Sequence, residues 1–307
     1  MAYTTGTTSF NLDLNDIIEE AYERAGIEVR TGYEFRTARR SLNLMTIEWA
    51  NRGINLWTIQ EGAITLIPNQ AVYPIPDDTI DLLDHVVRQN NGTASTQIDI
   101  NISRISESTY STIPNKLANG RPIQVWVNRQ TAQTNTTAIT LASTVTSTAT
   151  TIPLSGVVGL TTTGFIKIDS ETIGYTNISG NSLINCTRGQ NNTTAASHTS
   201  GAAIFVQNLP CINVWPTPDA SGDYTFVYWR LRRLQDAGDG VNIEDIPFRL
   251  IPCLVAGLAF YIASKRHDAS PERVLFLKQE YEQQWLLASQ EDRDKAADRF
   301  VPRVLFY

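Results

Sequence analysis

The segment from Ile246 to Lys265 constrains this chain more than any other. No residue from Leu250 to Ala263 is charged. Leu250, Leu254, Leu258 and Ile262 recur at every fourth position, with Ile251, Val255 and Ala259 in a row beside them. A helix that is apolar on nearly every side has to be enclosed. It falls short of the roughly 20 apolar residues of a membrane span, and Arg249 and Lys265-Arg266 bound it. The expectation is a core helix clasped by other helices. Pro247 suits a first helical turn, where its missing N–H costs nothing. Pro252 suits it less, so either the first turn kinks or the regular helix begins later.

Candidates for the clasp lie at both ends of the sequence. Asp13 or Asn15 can cap a helix in which Ile17, Ile18, Ala21, Tyr22 and Ala25 form one stripe, closed by Gly26. A second helix is expected from about Thr31 to Asn51, with Phe35, Ala38, Leu42, Met45 and Trp49 at helical spacing and Gly53 at its end. The two read as an αα-hairpin. Ser270-Pro271-Glu272 opens a last helix, with Val274, Leu277, Tyr281, Trp285 and Ala288 as its buried stripe. Residues 291–295 are charged, and Phe300 to Tyr307 is again apolar.

Between these helices the period falls to two. Ala63–Ile67 and Ala71–Ile75 flank Pro68-Asn69-Gln70 and are expected to pair as a hairpin. Asp81–Arg88 reads as a strand and Ser103–Tyr110 as a short helix. Ile123, Val125 and Val127 share one strand face and Trp126 takes the other. Cys211–Trp215 is a strand stopped by Pro216 and Pro218. Asp223–Leu231 is apolar on both faces, as a central or covered strand would be.

Residues 131–206 differ in composition. Thr, Ser, Asn and Gly dominate, and from Thr131 to Ser200 the only charged residues are Lys167, Asp169, Glu171 and Arg188. Disorder would suit that composition. However, Thr137–Leu141, Thr151–Leu154, Phe165–Ile168, Glu171–Tyr175 and Ser182–Asn185 are regularly spaced β runs, so a small all-β module is expected. The fold class is α+β: an N-terminal helical hairpin and two C-terminal helices packed together with a mainly antiparallel β-sheet, plus this inserted module. The domains are then 1–130 with 207–307 as a core, and 131–206 as the insertion.

The sequence offers little that could do chemistry. It lacks a phosphate-binding G-x-x-x-x-G-K-[ST], a G-x-S-x-G and an H-E-x-x-H. His85, His198 and His267 stand in separate segments. Asp77-Asp78, Glu244-Asp245 and Glu291-Asp292 read as capping and solvated carboxylates. Cys186, Cys211 and Cys253 lack the spacing of a zinc site and are expected to be reduced, partly buried thiols. No enzymatic activity, cofactor or metal is expected. A net charge of −6 argues against phosphate-driven nucleic-acid binding. The first fifteen residues have no basic start and apolar run, so no signal peptide is expected. Arg230, Arg232 and Arg233 form the densest basic cluster, expected to pair with carboxylates in the fold or across a subunit contact. Trp126, Tyr228 and Arg230 are the candidate contact residues on the sheet.

Two resemblances add to this. Gly164–Tyr175, Ile178–Gly189 and Thr194–Gly201 contain a strand, E-x-I-x-Y, a Ser-Gly-Asn turn, a C-T-R-G turn and a T-A-x-x-H-x-x-G close. That succession resembles a β module that recurs in tailed-phage structural proteins. The rest is similar to the phage head-to-tail adaptors, also called tail tubular protein A or head-completion connectors, of short-tailed phages. The matching stretches are Ile17–Gly26, Gly53–Trp57, Gly120–Pro122, Trp215–Asp219 and Leu254–Tyr261; simpler members lack the β module. The resemblance implies a virion protein at the head–tail junction, assembled in the host cytoplasm. It implies a ring of about twelve copies closed head to tail, with portal protein and tail nozzle protein as partners. Tail fibres are a further candidate partner. DNA would pass through the lumen without specific binding, and no membrane is involved. It also implies that a C-terminal arm reaches the portal, here Phe300, Val301, Val304, Leu305, Phe306 and Tyr307. The alternative is another tail component, a fibre, spike or decoration protein using the module to bind a host surface. A tail-borne peptidoglycan hydrolase would need two carboxylates facing across a cleft, and no spacing in the chain places such a pair.

Overall fold

The structure is a computed structural model and describes residues 6–7, 10–28, 32–53, 56–131, 133–238, 243–267 and 269–292. The fold is α+β. Its helices are α1 (Leu14–Ala25), α2 (Gly32–Arg52), the short α3 (Glu107–Ser111), α4 (Ile251–Ala263) and α5 (Pro271–Glu291). Its strands begin with β1 (Ile59–Thr65), β2 (Val72–Pro74), β3 (Thr79–Gln89), β4 (Ile98–Asn101), β5 (Ser103–Arg104) and β6 (Gln124–Asn128). They continue with β7 (Gln133–Thr140), β8 (Ile152–Pro153), β9 (Gly164–Ile168), β10 (Glu171–Tyr175) and β11 (Asn177–Ser179). The last are β12 (Ser182–Ile184), β13 (Thr187–Gln190), β14 (Ala203–Asn208), β15 (Cys211–Trp215) and β16 (Tyr224–Arg232). The described residues divide into two compact units: those before Gln60 and after Arg232 form one, and those from Gln60 to Arg232 the other.

The first unit is helical, and α4 is its axis. Helices α1, α2 and α5 all pack on it. Leu254, Leu258, Ile262, Cys253 and Val255 of α4 are buried against Ile17, Leu42, Met45, Trp49, Leu277 and Tyr281. Each such Leu or Ile contributes about 1.5–3 kcal/mol by leaving water. A 3₁₀ turn, Phe248–Leu250, precedes the regular helix, which starts at Ile251 and places Pro252 in its first turn. The late start removes the conflict with Pro252, because first-turn N–H groups have no intrahelical partner. Asp13 caps α1 by accepting from Asp16 N–H at 2.9 Å, and Gly26 ends it at φ 73°. Ser270 caps α5 by accepting from the Arg273 N–H. Gly257 lies where three helices come closest. A Cβ there would sit 2.4 Å from Met45 Sδ and 2.7 Å from Tyr281 Cε2. The Tyr281 ring is itself fixed, since Trp49 Nε1–H donates to its hydroxyl at 3.0 Å.

The second unit contains two four-stranded sheets, ordered β1-β16-β3-β4 and β2-β15-β6-β5. Their facing residues, including Leu82, Val87, Val125, Ile212, Val214 and Phe226, make one core. The single mainly antiparallel sheet expected from sequence is thus two. The expected hairpin between Ala63–Ile67 and Ala71–Ile75 does not form either: β1 pairs with β16 and β2 with β15. Leu66 N–H donates to Tyr224 O, Asn69 N–H donates to Pro218 O, and the Tyr73 hydroxyl accepts from Ile67 N–H at 2.8 Å. These bonds make a corner at which the chain changes sheet. Alternation specifies which face a residue takes, not which strand lies beside it. The helix expected over Ser103–Tyr110 is split into β5 and the Ser106-capped α3.

Residues 133–208 of the same unit form a five-stranded sheet, β13-β10-β9-β14-β7, and a three-stranded one, β11-β12-β8. Ile152, Ile166, Ile168, Ile173, Leu183 and Ile204 give them a core of their own. These isoleucines and leucines outweigh the polar composition. Strands β11, β13 and β14 lie outside the β runs expected from the sequence.

Candidate assembly interface

The residues singled out on the sheets do not share one surface. Trp126 projects from the outer face of β6, partly exposed, with its ring 5.1 Å from that of Tyr110. Tyr228 and Arg230, expected at a contact surface, are interior at 4% and 7% exposure. Strand β16 has β1 and β3 on its two edges, and its consecutive residues Tyr224 to Tyr228 are all buried, so both its faces are covered as well. Arg230 binds Asp78, donates to Thr79 Oγ1 at 3.0 Å and to Gln60 Oε1 at 2.6 Å. Its charge is spent within the fold, as is that of Arg233 on Asp236. Phe300, Val301, Val304, Leu305, Phe306 and Tyr307 lie outside the described residues.

Unpartnered apolar surface is found instead on the helical unit. Leu277, Tyr281 and Ala288 of α5 face α4, while Leu275, Phe276, Leu286 and Leu287 are 52–58% exposed. At 100° per residue these four lie on the side opposite the buried stripe, interleaved with exposed Gln279 and Gln283. Helix α2 repeats the pattern. Ala38, Leu42, Met45 and Trp49 face inward, and Tyr33, Leu44 and Ile47 are exposed on the far side with Arg36 and Arg40. A helix apolar on two opposite faces within a small bundle has one face left over for another molecule. Neither outer face follows from the single buried stripe that helical periodicity assigns to each helix.

A different polar centre lies inside the β module. Glu171 is fully buried and accepts from Arg188 Nε at 2.9 Å and Nη2 at 2.7 Å. It also accepts from Gly189 N–H at 2.9 Å and Ala196 N–H at 3.0 Å, and its Oε2 is 2.7 Å from His198 Nε2. His198 Nδ1 is 2.8 Å from Asp169. Burial alone would raise the Glu171 carboxyl, but these bonds outweigh it, led by Arg188, and hold it at about 2. A carboxylate saturated in this way is a poor base. It acts as a clasp, joining β10, β13 and the 196–198 segment, while Arg188 also binds the Thr146 and Ala196 carbonyls. These are the Glu, Arg and His of the three motifs quoted above. Their spacing in sequence gave no sign that they meet.

Cys186, Cys211 and Cys253 are free and buried, and burial pushes each thiol up to about 12. Among the described residues no group of His, Cys, Asp and Glu is arranged to hold a metal. No described helix is long and apolar enough to cross a membrane.

The family profile described as SU10 adaptor protein matches residues 119–303. The chain belongs to the SU10 adaptor protein family. No curated protein sequence matches it. The family match runs from before β6, through the whole β module, to α4 and α5. It therefore spans sequence on both sides of the polar Thr- and Asn-rich segment. Membership makes this a phage adaptor, a structural component of the virion. The SU10 adaptor match includes the clasp residues and the outer face of α5, but not α2.

Proposed function

We propose that this protein is a head-to-tail adaptor that forms a ring beneath the portal, extends the DNA channel and joins the capsid to the tail, with no reaction of its own. The ring has about twelve copies joined by a heterologous contact. The observation that carries this reading is the pair of left-over faces in the helical unit. One is Leu275, Phe276, Leu286 and Leu287 on α5; the other is Tyr33, Leu44 and Ile47 on α2. Two different sticky faces on one protomer suit a head-to-tail contact, in which the α5 face of one copy meets the α2 face of the next. Arg36 and Arg40 on α2 and Glu272 on α5 complement each other in charge at its margin.

In this reading residues 1–130 and 207–307 are the adaptor core and 131–206 the inserted module. Residues 300–307 are the arm that engages the portal, and the tail nozzle protein binds the opposite end. A net charge of −6 suits a lumen through which DNA passes without sticking. The test is reconstitution on purified portal, followed by particle mass and imaging. Phe276→Glu with Leu287→Glu should leave a folded protomer that no longer forms rings. Deletion of residues 300–307 should leave one that no longer attaches to portals. Normal rings from the first variant would reject the α5 contact, and normal attachment of the second would reject the arm.

A further inference from the structure

The outer face of β6 and β15 borders a cleft whose other wall is β7 and β14. The register sets Asn213 opposite Trp126 and Cys211 opposite Asn128, so these four side chains share that face. The cleft is about 640 Å³, within the roughly 300–1,000 Å³ of small-ligand sites. None of its walls carries an Asp, Glu, Lys, Arg or His. Their residues include the partly exposed Trp126, Thr136 and Thr163, and four that carry amides, Asn128, Gln130, Asn135 and Asn208. Among the described residues none of those four amides spends its side chain on a hydrogen bond.

We propose that this cleft binds a neutral glycan. Each requirement of such a ligand is met by something on its walls. A carboxamide offers both donor and acceptor, as a row of ligand hydroxyls needs. The indole offers an apolar surface for the C–H faces between those hydroxyls. An anionic ligand would find no counter-charge here. A wholly apolar one would bury the amides unpaired, which is unfavourable for each of them. A polypeptide strand could pair with the first part of β7, which among the described residues has no strand on its outer edge, whereas Thr140 at its end is bonded to Ser155. It would then need that backbone edge alone and would leave the amides of the opposite wall unused. All of its walls come from one protomer.

The full chain is applied to an array of neutral oligosaccharides (malto-, cello-, chito- and galacto-series) and acidic ones (heparin and polysialic acid fragments). Binding is expected to be confined to neutral members. Trp126→Ala should weaken it by about tenfold, the scale of one aromatic contact. Trp126 also packs on Tyr110, so Asn135→Ala, on an exposed strand, provides a second variant that folding does not depend on. It should weaken binding by about threefold to tenfold, the scale of one hydrogen bond. Binding to no member, binding only to acidic members, or neutral binding indifferent to both variants would overturn the assignment. Slowed hydrogen exchange along β7 in concentrated protein without glycan would also overturn it, by giving the edge to another polypeptide.

Discussion

Glu171 shows how much can rest on one side chain. Removing one partner from a buried charge pair costs about 3–5 kcal/mol, because the other charge is left in a dry site. Glu171→Gln strands Arg188, whose side chain is 7% exposed. Amides of β9 and β10 should then exchange with solvent at least about a hundredfold faster. Unchanged exchange would mean that the clasp contributes little. The pH dependence has a definite sign. The Glu171 carboxyl is lowered from 4.5 to about 2 in the folded chain. Its stabilisation is present above about 4.5 and is lost as pH falls from there towards 2, amounting to roughly 3 kcal/mol in all. Acid unfolding of the β module should show that window, and Glu171→Gln should flatten it. The sequence displayed all of these residues but not their meeting. His198, read as a lone histidine, is 27 positions from Glu171, and only strand pairing brings them together.

At the scale of elements, what was legible followed from periodicity and caps. The four long helices are where their 3.6-residue stripes and their Asp13, Gly26 and Ser270 signals place them. Helical packing is written locally, in residues three and four apart. Sheets are written non-locally, so the corner at Leu66–Ala71 read as a hairpin. Strand β13, Thr-Arg-Gly-Gln, showed no strand pattern because its arginine is buried only by virtue of Glu171. Strand β14 does carry an apolar run, Ile204-Phe205-Val206, that could have been found. The axial helix α4 supplies a test at this scale. Its Gly257 leaves room for Met45, which can yield, and for Tyr281, which Trp49 holds. Gly257→Val should destabilise the helical unit by about 2–3 kcal/mol through overpacking. Gly257→Ala should cost less, because alanine recovers about 1 kcal/mol of helix preference. Thermal unfolding of the two variants would check that order. A valine variant as stable as the parent would show that the three helices do not meet as closely as α4 requires.

For the whole molecule, the question is whether the left-over faces of α2 and α5 join to each other or each to itself. The two cases differ by symmetry. In an isologous contact a face meets its own copy and assembly stops at a pair; in a heterologous one two different faces meet and assembly propagates until it closes. One protomer is disabled on α5 by Phe276→Glu and Leu287→Glu, the other on α2 by Leu44→Glu and Ile47→Glu. All four positions are exposed, so both protomers should fold. In solution without portal, each alone should stay monomeric, because every contact it could make lacks one side. Mixed in equal amounts, they retain one intact combination: the α5 face of the second against the α2 face of the first. That joins two molecules and then ends, since both remaining faces are dead. The mixture should therefore give dimers and no rings, read by particle mass, and those dimers should persist in salt because the contact is mainly apolar. Self-association of either variant alone would point to an isologous pairing. A mixture that remains monomeric would show that these two faces are not each other's partners.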